Sequence, residues 1–351
     1  MPPETPLATS LTDLPSTVRI PWGRMLVGAI LGGIAIWLAS RGVSWDAVGE
    51  AFASARLWPI LLATLTILAI LLLKGWRWQL LYFPRSLPPL PDLLWAMMAG
   101  QFVNLVSPIR VGEVARILGL ERSVPGIKAQ SLGTIVVEKA LDSILLALTV
   151  ALILPLIAVP DYLARSVTTM LIIAGVAMGA LYLIAFRTHW VVRVMRYFLK
   201  FVPDAIAPRL ERFAISGLEG LSALRNHRQN GLVVGVSAAI AFLSILPAYL
   251  LFFAFSLEFG LVTAAMLHVV LTLGLLPPST PGKLFIFEAV TQGVLIWLGV
   301  NESIGLSYAI VFHLVVILPQ IVLGIVAVIR YDWRFSQILS GKSRQFGSAQ
   351  K

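Results

Sequence analysis

The sequence predicts an all-α polytopic membrane protein with about six full spans plus two re-entrant hairpins in an inverted repeat. Three observations predict it. Of 351 residues, 58% are hydrophobic and only 13% are charged, roughly half the charged share of an ordinary soluble domain. Six apolar runs, at 21–40, 57–80, 132–156, 167–186, 231–257 and 303–329, reach the length of about 20 residues that crosses about 30 Å of hydrocarbon. Two further apolar stretches are broken by Pro and Gly and carry charge at membrane depth. Such interrupted segments, in corresponding places of two halves, mark the binding region of many transporters.

The elements follow in order. Residues 1–20, rich in Pro, Thr and Ser, are expected to be a disordered cytoplasmic tail before a single transmembrane domain at 21–335. The run at 21–40 is taken as a retained first span, because no small-x-small cleavage site precedes Arg41. The second span ends in Lys74-Gly-Trp-Arg-Trp78, where two tryptophans among cations read as an anchor at the membrane interface. The first broken stretch runs through 93–106, breaks at Ser107-Pro108 and resumes as the charged 110–120. The spans at 132–156 and 167–186 follow. Next comes a cytoplasmic connector, 187–230, in which Arg193, Arg196 and Lys200 lie at helical spacing opposite Trp190, Val194 and Phe198. That pattern predicts an amphipathic interfacial helix. After the span at 231–257, the second broken stretch occupies 261–276, breaks at Pro277-Pro278 and Pro281-Gly282, and resumes as 284–300. The last span, 303–329, leads to a cytoplasmic tail at 336–351.

Positive residues orient the chain. If each broken stretch is a hairpin entering and leaving on one side, Arg41, Arg56 and Arg165 fall outside and the other Lys and Arg clusters fall inside. Both termini are then cytoplasmic, in the cell (inner) membrane. The unit at 57–156 starts outside with its hairpin entering from the cytoplasm, and the unit at 231–329 starts inside with its hairpin entering from outside. These are inverted repeats. The alternative makes both broken stretches kinked but complete spans, for ten crossings, and also leaves both termini inside.

The net charge of +10 would suggest nucleic acid in a soluble chain. Here the cations gather in the polar connections, so they point to topology and to anionic lipid headgroups, and nucleic acid is excluded. Without cysteine there is no disulfide framework and no thiolate metal site. The four histidines, His189, His227, His268 and His313, have no metal-ligand spacing. Neither a metal nor a cofactor is expected. No P-loop, dinucleotide fingerprint or nucleophile elbow occurs, so the chain is not expected to be an enzyme.

Candidate site residues cluster around the first break. On a helix after Pro108, Arg110, Glu113 and Arg116 share one face. Two guanidiniums around one carboxylate present spare donors in a fork suited to phosphate, with Gly112 leaving room for close approach. The functional reading is a phospholipid headgroup site. The structural reading is an ion cluster that pins the hairpin. Glu138 and Asp142 lie four residues apart inside the third span, beside Lys139. Each ionisable group there costs roughly 2.5 to 3.5 kcal/mol to insert, so pairing is expected, with Arg110 or Arg116 as candidate partner. Two neighbouring carboxylates could also carry a proton. Lys283 and Glu288 place one charge of each sign after the second break, and His268 and His313 read as interhelical hydrogen-bonding groups.

At these residues the chain resembles the lysylphosphatidylglycerol synthase transmembrane-region family, the flippase part of bacterial multiple peptide resistance factors. The resemblance rests on Arg77-Trp78, Phe102-x-Asn104, Pro108-x-Arg110-x-Gly112-Glu113-x-x-Arg116, Glu138-Lys139-x-x-Asp142, and Pro281-Gly282 with Glu288. It covers roughly residues 20 to 335. The family usually has Arg at the place of Lys139, and further glycines where this chain has Lys283, Leu284 and Phe285. The resemblance implies a protein that binds or translocates lipids. With about 20 residues after the last span, no aminoacyl-transferase domain is expected.

The expected function is therefore a lipid transporter or flippase that binds membrane phospholipids or other anionic lipids, with a homo-oligomer left open. In that reading Arg110 and Arg116 hold the headgroup, Glu113 orients them, and the polar network comprises Asn104, Glu138, Lys139, Asp142, Lys283 and Glu288. A membrane-embedded lipid-modifying or glycosyl transferase, or a scaffold for one, is the alternative.

Overall fold

The computed structural model describes residues 44–84, 87–107, 111–156, 186–199, 225–276 and 281–330, with isolated positions between 172 and 221. The regular elements among them are helical. The expected first span, both tails, most of 167–186, Pro108 and Arg110 lie outside the described residues.

The helices are α1 (Trp45–Ser54), α2 (Leu57–Leu80), α3 (Leu90–Val106), α4 (Gly112–Ser123), α5 (Lys128–Ile153), α6 (Thr188–Leu199), α7 (His227–Leu243), α8 (Leu246–Ala254), α9 (Leu261–Gly274), α10 (Ile286–Trp297) and α11 (Glu302–Arg330). Within hydrocarbon a helix satisfies its own backbone groups, which is why the long apolar runs take this form. Four stretches are long and apolar enough to cross a membrane: α2, α5 with its 3-10 extension to Leu156, α7 with α8, and α11. They coincide with the expected spans at 57–80, 132–156, 231–257 and 303–329. The α7–α8 stretch is interrupted at Ser244 and Ile245. Pro247 follows at once and has no N–H to return to the Leu243 carbonyl. Leu57, Leu61, Leu65 and Leu72 form an exposed apolar stripe along α2, as a lipid-facing surface requires.

The two broken segments fold back on themselves. α3 packs on α4, and α9 on α10, and no arm exceeds 17 residues. At 1.5 Å per residue the longest arm extends roughly 25 Å. Close approach of α3 and α4 depends on two facing glycines. A Cβ on Gly100 would lie 2.5 Å from the Gly112 carbonyl oxygen, and a Cβ on Gly112 would collide with the Gly100 carbonyl and the Asn104 side chain. The second segment turns through the 3-10 helix Pro281–Lys283, where Gly282, Lys283 and Phe285 hold φ of 69°, 58° and 70°.

α2 runs through the centre. Ala63 packs into a core with α8 to α11, Leu71 and Trp78 into one with α3 and α4, and Ile70 into one with α5 and α7. α3 also packs on α11, where Phe102 fills the space over Gly324, and α9 packs on α5. Exchanging the unit at 57–156 for the unit at 231–329 maps α3 on α11 onto α9 on α5. The expected interfacial anchor at the end of α2 is corrected by this packing. Trp76 is 40% exposed, but Arg77 and Trp78 are fully buried, because α3, α5 and α7 cover that face.

Candidate functional site

Two polar systems meet along α5. The first is a buried ion network. α5 places Glu138 and Asp142 one turn apart, and α2 and α4 bring a guanidinium to each. Arg77 donates through Nη1 to Asp142 Oδ1 at 2.6 Å and to Ser237 Oγ at 3.3 Å, while its Nη2 lies 3.7 Å from Glu138 Oε1. Arg116 donates to both Glu138 oxygens, at 2.8 and 3.4 Å. Its guanidinium carbon stands 4.6 Å from the centre of the Trp78 ring, and Trp78 Nε1 donates to Thr134 Oγ1 at 3.0 Å. Cation and carboxylate numbers balance here, as burial at membrane depth requires.

The expected arrangement of two guanidiniums around one carboxylate exists, but Glu138 is the carboxylate rather than Glu113. Arg116 faces α5 across the α4–α5 contact, so it does not converge on Glu113. Arg110 is outside the described residues. Glu113 instead accepts from Asn104 Nδ2 at 3.3 Å and lies 3.4 Å from Lys139 Nζ. Asn104 Oδ1 also accepts the Gly112 N–H at 2.7 Å. One arm of the first broken segment thus satisfies an orphan donor at the start of the other.

The second system is a cavity of about 500 Å³ bounded by α2 to α5, the α7–α8 stretch, α9 to α11 and the Pro281–Lys283 turn. Lys74, Lys139 and Lys283 reach it, against one carboxylate, Glu113. Gln101, Asn104, His268 and Gln320 add polar groups, and Ile67, Leu71, Leu271, Phe287, Phe312 and Ile317 form an apolar wall. Arg77, Arg116 and Glu138 do not line it. On the far wall His313 Nδ1 lies 2.6 Å from Glu288 Oε1, and its Nε2 lies 3.1 Å from the Gly282 carbonyl oxygen. The ring lies flat on Phe287, with centroids 4.4 Å apart and planes 9° apart. Among the described residues no group of three or more His, Asp or Glu side chains could hold a metal ion.

Sequence reasoning missed Arg77 as the hub of the network, and Lys74, Gln101 and His268 as cavity residues. A usable clue was present. Two carboxylates inside α5 needed two buried cations, and Lys74 and Arg77 are the cations at the end of the neighbouring span.

A family model of the lysylphosphatidylglycerol synthase transmembrane region matches residues 25–324. The chain belongs to this family. No curated protein and no solved structure gives a significant match. Membership, with the apolar helices, makes this a multi-pass membrane protein of lipid-related function. The residues that carry the family resemblance acquire physical tasks: Asn104 joins the arms of the first broken segment, and Arg77, Arg116, Glu138 and Asp142 neutralise one another. Lys283 and Phe285 stand where the family usually has glycine, and both sit at positive φ. An L-residue there costs about 1 to 2 kcal/mol relative to glycine.

Proposed function

We propose that this protein is a lipid transporter or flippase that takes an amphiphile with an anionic headgroup into the central cavity. The observation that carries this reading is the cavity's make-up, three lysines against one carboxylate beside an apolar wall. A headgroup phosphate fits against Lys74, Lys139 and Lys283 while acyl chains follow Ile67, Leu271 and Phe312. Lys74 is the strongest candidate among them. It makes no hydrogen bond or ion pair with the described residues, whereas Lys139 is engaged by Glu113.

The headgroup role first assigned to Arg116 passes to these lysines. Arg116 positions Glu138, and Glu113 tunes Lys139. Arg110, beside the first break, remains a headgroup ligand in this proposal. The two folded-back segments are re-entrant hairpins from opposite faces of the cell membrane, with both termini cytoplasmic, and they act as alternating gates.

Translocation of a fluorescent phosphatidylglycerol in reconstituted vesicles tests the reading. The parent protein accelerates it well above protein-free vesicles, and Lys74→Ala lowers the rate by about tenfold, the equivalent of one headgroup contact of about 1.4 kcal/mol. Parent rates equal to those of protein-free vesicles would remove the transporter reading. A covalently altered lipid seen by mass spectrometry would favour the transferase instead.

A further inference from the structure

We infer that Glu288 and His313 form a proton-binding site that fastens the Pro281–Lys283 turn to α11, so that proton release frees the second broken segment over the cavity. A backbone carbonyl can only accept, so the 3.1 Å contact between Gly282 and His313 Nε2 requires the proton on Nε2. The other nitrogen, Nδ1, then has a lone pair directed at Glu288 Oε1 at 2.6 Å. Two lone pairs at that distance repel. One further proton must lie between them, whether the pair is written as imidazolium and carboxylate or as imidazole and carboxylic acid.

Removing that proton leaves a neutral ring with one N–H and two acceptors competing for it. A hydrogen bond to a carboxylate is roughly twice as strong as one to a neutral carbonyl. The remaining proton therefore moves to Nδ1, and the lone pair on Nε2 now faces the Gly282 carbonyl. The link between α11 and the turn becomes a repulsion. The turn has reason to move when released, since Lys283 and Phe285, neither of them glycine, are both held at positive φ.

The location suits a gate. His313 is 5% exposed, yet it lines the cavity together with Gly282, Lys283 and Phe287. A Cβ at Gly282 would stand 3.7 Å from Leu105, so the two broken segments meet at this point. The charged and titratable groups facing it across the cavity are Lys283 in the turn, Lys74 on α2, His268 on α9, Glu113 on α4 and Lys139 on α5. The cavity-lining residues of α3 and of the α7–α8 stretch, Gln101, Asn104, Leu105, Ser244 and Pro247, are uncharged. α1, with Asp46 and Glu50, meets α11 further along, where Ser307 Oγ approaches the Val48 carbonyl oxygen, and α11 begins at Glu302.

The shared proton brings one positive charge to the cavity wall, and an anionic headgroup in the cavity attracts it. Proton and headgroup then bind together, and each raises the affinity for the other by the same factor. That last step rests on the lipid-transporter reading; the proton site itself does not.

The chain has no cysteine, so Leu275→Cys supplies a single label in the second broken segment, buried at 6% exposure on the cavity wall, with Ser54→Cys on the exposed end of α1 as the control for reagent chemistry. Maleimide labelling at 275, relative to 54, is expected to rise at least about fivefold between about pH 5 and about pH 9. Adding Glu288→Gln keeps labelling slow at every pH, because the amide donates to Nδ1 where the shared proton lay and leaves Nε2–H on Gly282. Adding His313→Phe makes it fast at every pH, since the stack on Phe287 survives but the tether does not. A flat parent profile, a Glu288→Gln profile that follows the parent, or a slow His313→Phe would each overturn the inference. Glu288→Gln decides alone if His313→Phe does not fold. A proton gradient across vesicles gives the second arm. Lipid movement without the labelling change overturns the proton site and spares the transporter, whereas the labelling change without lipid movement does the reverse.

Discussion

Arg77 is the residue on which the buried charges converge. It touches Asp142, Ser237 and Glu138 from three-way cover by α3, α5 and α7. Removing its guanidinium leaves Asp142 without its cation inside the membrane, while Glu138 keeps Arg116. Arg77→Met is therefore expected to cost about 3 to 5 kcal/mol of stability, read as a fall in thermal midpoint in detergent. The double variant Arg77→Met with Asp142→Asn should recover part of that loss, and an unaltered midpoint in the single variant would show that the pairing carries no stability. Glu138 and Asp142 were legible in the sequence because a four-residue spacing fixes a shared helix face. Arg77 was not. A Trp-Arg-Trp run at a span's end has the same local pattern whether it meets headgroups or is covered by neighbouring helices, and only the cover distinguishes them.

The first broken segment shows the same division at the level of an element. Pro108 and the surrounding charges marked the interruption, and Gly112 was expected to permit a close approach. What approaches is the backbone at Gly100. Gly112→Ala should push α3 and α4 apart and cost about 1 to 3 kcal/mol, whereas Gly293→Ala on α10, with open space around it, should be neutral or gain up to about 1 kcal/mol from helix propensity. Thermal unfolding of the two variants side by side checks this, and equal effects would remove the role given to the Gly100–Gly112 contact. The second segment differs in kind. Lys283 and Phe285 hold left-handed backbone without being glycine, which a tether such as His313 to Gly282 can sustain.

Across the whole molecule, the units at 57–156 and 231–329 exchange contacts: each sends the first arm of its broken segment onto the last span of the other. This favours the inverted-repeat reading, and it predicts opposite accessibility of the breaks. Ser107→Cys should label only from the cytoplasm and Thr280→Cys only from outside, in sealed vesicles of known orientation. The reverse pattern would reject the proposed topology. Composition, apolar run length and the Pro/Gly interruptions by themselves determined that this is a helical membrane protein, where four of its long apolar helices run, and where it is broken. Those properties are local, set by a run of residues or a helical period. Which partners Arg77 and His313 meet was decided only by tertiary structure: Arg77 with Asp142 across 65 positions, Arg77 with Ser237 across 160, and His313 with Glu288 across 25. The physical reason is that such pairs depend on how each helix is rotated about its axis against its neighbours. That rotation is set by close packing at positions such as Gly100, Gly112 and Gly324, far along the chain from many of the charges it brings together.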